Sequence, residues 1–177
     1  ALEDAATLRV QSPFDYAGHA RLWVPSRFPK PNETAHPATV GALAARCAHA
    51  LHGRTFVLTT TLRALEIVAS ALQAEADLIG ACLDVLTQGS QPRRALLQQF
   101  GDGHGKVLIG SHSFWEGIDM PGDVLQCVLI DKLPFPPPND PLVEARVKQL
   151  QAQGRNAFDE VHVAEAAVSL KQGAGRL

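Results

Sequence analysis

Residues 107–135 read VLIGSHSFWEGIDMPGDVLQCVLIDKLPF. Two apolar runs, Val107 to Ile109 and Val124 to Ile130, hold between them a polar segment dense in Ser, Gly and carboxylate, and the second run leads into a proline cluster. Runs that stay apolar without alternating are what strands covered on both faces need. Such strands build parallel sheets when helical segments supply the crossovers between them.

Working outward, the same alternation continues. Alanine and leucine recur at helical spacing from Ala38 to Leu51, and Gly53 stands where a C-cap belongs. TFVLTTT reads as a buried strand. LRALEIVASALQAEA is a helix presenting Leu62, Leu65, Val68 or Ala69 and Leu72 on one face, and a strand follows within Ala81–Thr87. QPRRALLQQF is helical, with Pro92 suited to a first turn, and KVLIG is a strand. After the LQCVLID strand come a helix capped by Asp140 and ended by Gly154, and a last helix in VHVAEAAVSLKQ. Near the start, Leu8–Val10 and Arg21–Val24 read as short strands, the second closed by a stretch of four prolines. The expected fold is α/β, three αβα layers around a mostly parallel sheet. In such folds ligands sit at the carboxyl ends of the strands, where the SHSFWEGID loop begins.

The bulk numbers limit the partners. A chain of 177 residues with 46% apolar composition supports one domain with a sizeable core, taken here as residues 1–177. A formal charge of −2 provides no basic field, so any phosphate contact must come from a local patch, hydroxyls or backbone N–H groups. The three cysteines, Cys47, Cys82 and Cys127, are far apart and lack a C-x-x-C spacing, which suggests neither a disulfide framework nor a metal cluster. They read as reduced thiols of a cytoplasmic protein. No apolar run approaches the ~20 residues that span a bilayer, so no membrane association is expected. Met120 is the only methionine, and a helical pattern runs up to Leu177, so the sequence reads as a piece of a longer polypeptide, monomeric by itself.

Several motifs compete for a functional role. GDGHGK imitates a phosphate loop, but Phe100 stands where its first glycine should be, Val107 follows the lysine, and a helix rather than a strand precedes it. It reads as a flexible connection. His49 and His52 share a helix face without a carboxylate or cysteine in register, and Arg93 and Arg94 read as a solvated pair. LPFPPPNDP reads as a rigid turn.

Three ordered segments say more: VLTTTLRAL, GSHSFWEGIDMPGD and LKQGAGRL. They resemble motifs IV, V and VI of superfamily 2 helicases, and in particular the RecA-like second motor domain of bacterial DinG/YoaA helicases, relatives of XPD. The resemblance runs from about SPFDY to the last residue. It implies an ATP-dependent DNA helicase, a cytoplasmic protein that translocates on single-stranded DNA and unwinds duplexes in DNA repair. A module of the same fold that binds nucleic acid without hydrolysis stays open as an alternative.

The same resemblance implies the site residues. Asp119 matches the motif V aspartate at the ATP ribose, with Gly117 letting the backbone approach the nucleotide. Thr60 and Thr61 of motif IV, and Ser111 and Ser113 of motif V, match positions on the DNA backbone, and Arg63 adds a charged contact. Gln172 and Arg176 match motif VI at the phosphate end of ATP, where they are the catalytic pair. The family motif continues to a second arginine that this sequence does not contain. No metal ligands are expected here. Walker A, the Mg²⁺ site and the four cysteines of an iron–sulfur cluster belong to a first motor domain of the same polypeptide, which is the expected partner, so this piece alone is expected to be inactive. Phe114 and Trp115 read as packing residues before base-stacking ones, and Lys132 and Phe135 are weaker candidates for DNA contact.

Overall fold

The computed structural model describes residues 8, 10, 15–111, 114, 120, 122–137 and 139–175. Its centre is a four-stranded sheet in the order β2-β3-β1-β4, formed by β1 (Thr55–Thr59), β2 (Asp84–Thr87), β3 (Lys106–Ser111) and β4 (Cys127–Ile130). Every pairing is parallel: Thr59 stands opposite Ser111, Thr55 opposite Cys127, and Asp84 opposite Lys106. The α-helices with described bounds are α1 (Tyr16–His19), α2 (His36–Ala50), α3 (Leu62–Leu78), α4 (Arg93–Phe100), α5 (Pro141–Ala152) and α6 (Ala164–Ala174).

Period-2 alternation along the strands divides the core into two layers. Val57, Val107 and Ile109 pack beneath α2 and α3 with Val40, Ala44, Leu65, Val68 and Leu72. Phe56, Leu58 and Leu108 face the other way, against Leu96 and Phe100 of α4 and against Phe114 and Leu125. The result is the αβα sandwich of a RecA-like domain. Gly41 on α2 allows the close approach of α3, since a Cβ there would meet the Val68 carbonyl oxygen at 2.5 Å. No helix among the described residues is long and apolar enough to cross a membrane.

Several boundaries follow the sequence closely. The Asp140 carboxylate accepts from the Leu142 and Val143 N–H groups at 2.8 and 3.2 Å, and Gly154, at φ +70°, closes the turn after α5. GDGHGK leads from α4 into β3 at the amino edge of the sheet. It is tightly packed rather than flexible: Gly103 has φ +71°, a Cβ there would fall 2.1 Å from the Val124 carbonyl oxygen, and its own carbonyl accepts the Arg54 N–H at 2.7 Å.

Other expectations fail. Arg21–Val24 is not a strand, and Leu22 and Trp23 are 92% and 70% exposed. Leu8 and Val10 also lie outside any strand. An apolar tetrapeptide becomes a strand only when it pairs with a partner edge, and among the described residues Arg21–Val24 pairs with neither outer strand of the sheet. Leu62 is 60% exposed, and the buried stripe of α3 is Leu65, Val68, Leu72 and Ala76. The last helix opens with a π-helical turn, Phe158–Val163, before α6 begins.

Candidate functional site

The loops leaving the carboxyl ends of the strands carry most of the polar residues singled out above. Across the edge, in sheet order, come Gln88 after β2, Ser111 at the end of β3, Thr60 and Thr61 after β1, and Asp131 after β4. The parallel register makes them neighbours. Because Thr59 pairs with Ser111, the two hydroxyl-bearing segments leave the sheet side by side.

Thr61 is the N-cap of α3: its extended backbone (φ −141°, ψ 151°) turns the chain, and its hydroxyl accepts from the Ala64 N–H at 3.2 Å. That bond uses an oxygen lone pair and leaves the O–H as a donor that can serve a phosphate. Thr60 is half-buried, with its hydroxyl 3.5 Å from Asp131 Oδ2, and Arg63 is exposed on the first turn of α3. Ser111 departs from the expected exposed strip. It is only 9% exposed, and its N–H donates to Gln88 Oε1 at 2.6 Å, so Gln88 fixes the point where the motif V segment leaves β3.

Asp131 is the feature that the sequence reading missed. It is 8% exposed, and its Oδ1 is buried with no partner. Burial pushes its carboxyl above the usual range, against the Thr60 N–H bond, the Lys132 charge, the Lys132 N–H bond and the His36 charge, which all pull it down. Its carbonyl oxygen lies 2.9 Å from His36 Nε2, while His36 Nδ1 lies 2.8 Å from the Pro29 carbonyl. The buried histidine thereby joins the proline-rich segment, α2 and the exit of β4. The available signal in the sequence was positional: Gln88 and Asp131 are each the polar residue that directly follows a strand.

Phe114 is core, as expected: it is 4% exposed and meets Phe56 edge-on at 6.2 Å. Arg93 is not merely a solvated surface residue, since its guanidinium lies 5.4 Å from the Phe114 ring centroid, within cation–π range. Phe135 is 44% exposed and packs against Phe158 at 5.7 Å, and Lys132 is half-buried. Gln172 is exposed on α6 and lines an open groove of about 750 Å³ shared with α5, bordered by the Arg146–Glu165 and Arg155–Glu160 ion pairs. Ser113, Trp115, Gly117, Asp119 and Arg176 lie outside the described residues. His49 and His52 line a pocket of about 250 Å³ with Cys82 and His104 at the opposite, amino edge. Among the described residues no three His, Cys, Asp or Glu side chains gather to hold a metal ion.

A parallel αβα sandwich with its hydroxyl and carboxylate groups gathered on the carboxyl edge defines a RecA-like α/β domain. The chain belongs to the helicase C-terminal domain family, whose model matches residues 44–177. It is 39% identical over 99% of its length to the ATP-dependent DNA helicase YoaA of Escherichia coli, covering 27% of that protein. It is 36% identical over 96% of its length to the ATP-dependent helicase DinG of Mycobacterium tuberculosis, covering 25% of it. Similarity extends to the 3'-5' exonuclease DinG of Bacillus subtilis, at 31% identity over 97% of the chain and 19% of the relative. The chain thus spans about a quarter of the length of these two curated relatives.

Proposed function

We propose that this chain is the second motor domain of an ATP-dependent DNA helicase of the DinG/YoaA type, one that couples ATP hydrolysis to translocation on single-stranded DNA and duplex unwinding in DNA repair. The observation that carries the proposal is the meeting of the motif IV turn, Thr60–Thr61, with the exit of β3 at Ser111, where the motif V segment begins. Hydroxyls and N–H groups at such an edge hold phosphates without a net positive charge, which suits a chain of formal charge −2.

In this assignment Thr60, Thr61, Arg63, Ser111 and Ser113 serve the DNA backbone. Since Ser111 is buried, its part is to set the backbone course of the motif V segment, and exposed Thr61 and Arg63 make the outward contacts. Asp119 and Gly117 serve the ATP ribose, and Gln172 and Arg176 the phosphates. Mg²⁺ and the remaining phosphate contacts come from a first motor domain, which also holds the iron–sulfur cluster. A guanidinium at the transferring phosphoryl group offsets charge that develops in the transition state, an effect worth about 10³–10⁵ in rate in phosphoryl-transfer enzymes.

Fluorescence anisotropy with labelled oligothymidine tests the DNA half of the proposal. The 177-residue chain should bind weakly, with affinity falling as salt rises, because it holds only part of the track. Thr61→Ala removes both the cap and the hydroxyl donor, whereas Thr61→Asn keeps a capping side chain; DNA affinity should fall for both, and stability mainly for alanine. Tight binding indifferent to salt would contradict this edge as a backbone-binding track.

A further inference from the structure

Far apart in the sequence, Cys47 and Cys127 are brought together by the fold. Leu129 packs into the core layer under α2 and α3, while Val128 and Ile130 pack on the opposite face of the sheet. Period-2 alternation therefore turns Cys127, two residues before Leu129, toward α2. On α2, Cys47 follows Ala44 by three positions and Val40 by seven, both of them buried on the helix's sheet-facing stripe. The two elements run antiparallel, with His36 on α2 meeting the Asp131 carbonyl just past the end of β4 at 2.9 Å. From that contact, eleven residues of helix cover ~16 Å and four residues of strand ~13 Å, which brings Cys47 level with Cys127. Both side chains are half-buried rather than sealed.

We propose that Cys47 and Cys127 form a redox modification site, a dithiol that low-molecular-weight disulfides convert reversibly into a bond between α2 and the edge strand β4. The Cys47 thiolate attacks one sulfur of the disulfide; that S–S bond breaks, one thiolate leaves, and Cys47 carries a mixed disulfide. Cys127 then attacks the Cys47 sulfur, the second small thiolate leaves and takes up the Cys127 proton, and the intramolecular bond is complete. Two protein thiols are oxidised, and one small disulfide is reduced to two thiols. The order of events follows from the pair's chemistry. The Cys127 side chain holds the Cys47 thiol down to about 7, against burial that pushes it up, while the Cys47 side chain and burial push Cys127 upward. Cys47 is the first nucleophile and Cys127 the resolving group. The remaining cysteine, Cys82, is exposed just before β2 and serves as an internal control.

The test is native incubation of the intact protein with glutathione disulfide, followed by alkylation, trypsin digestion and mass spectrometry. The expected product links the peptide of residues 47–54 to that of residues 107–132 with the loss of two hydrogens, is reversed by dithiothreitol, and forms ahead of glutathionylation at Cys82. In the Cys127→Ser variant, glutathione should instead remain trapped on Cys47. Glutathione on Cys82 alone, with Cys47 and Cys127 recovered as alkylated thiols, would overturn the proposal, as would a folded Cys127→Ser variant whose Cys47 takes up no glutathione.

Discussion

At the scale of single residues, Asp131 yields the sharpest expectation. Its carboxyl is raised by burial, so the folded state disfavours the charged form; stability tied to the neutral form is present at low pH and lost as pH rises through the raised folded value. Asp131→Asn keeps an acceptor for the Thr60 N–H and removes the buried charge. The variant's Tm should therefore exceed that of the parent near neutral pH, with the difference shrinking toward pH 4. Thermal melts across that range check it, and a destabilisation that does not change with pH would refute the burial argument. Core identity was already legible for residues such as Phe114, where an aromatic beside a strand has little choice. The roles of Gln88, His36 and Asp131 were not, because what distinguishes them is burial and contact across the sheet, with His36 and Asp131 separated by 95 positions. Cys47 and Cys127 were hidden for the same reason: sequence distance says nothing about thiols on a helix and a strand that the fold lays side by side.

At the scale of elements, the strands and their crossover helices could be read because period and polarity agree with the fold everywhere in the sheet. Caps were legible too. Asp140→Ala should cost about 1 kcal/mol through loss of two N-terminal hydrogen bonds on α5, measurable by urea unfolding, and Asp140→Ser should recover most of it. Phe100→Ala, emptying a side chain that is 1% exposed between α4 and the sheet, should cost about 3–5 kcal/mol in the same assay. The elements that misled were those whose state depends on something outside their own residues. Arg21–Val24 has the composition of a strand but pairs with no strand among the described residues. The π-helical turn at Phe158–Val163 is invisible to a helical period, because one wider turn leaves the apolar spacing of the following α6 unchanged.

At the scale of the whole molecule, the claim is one of divided labour. A sheet edge that gathers hydroxyls and N–H groups can follow a nucleic-acid backbone, but ATP hydrolysis also needs a phosphate loop and Mg²⁺ ligands, and the failed GDGHGK fingerprint does not supply them. The 177-residue chain alone should accordingly show no ATP hydrolysis above background, with or without DNA. The measurement that bears most directly on the central claim is DNA-stimulated ATP turnover by the intact protein and its Arg176→Ala variant, beside nucleotide-binding titrations of both. An arginine that acts chiefly in the transition state predicts near-normal ATP binding and turnover reduced by about 10³ or more. Near-normal DNA-stimulated turnover in the variant would contradict the assignment of this domain as the arginine-bearing half of the motor.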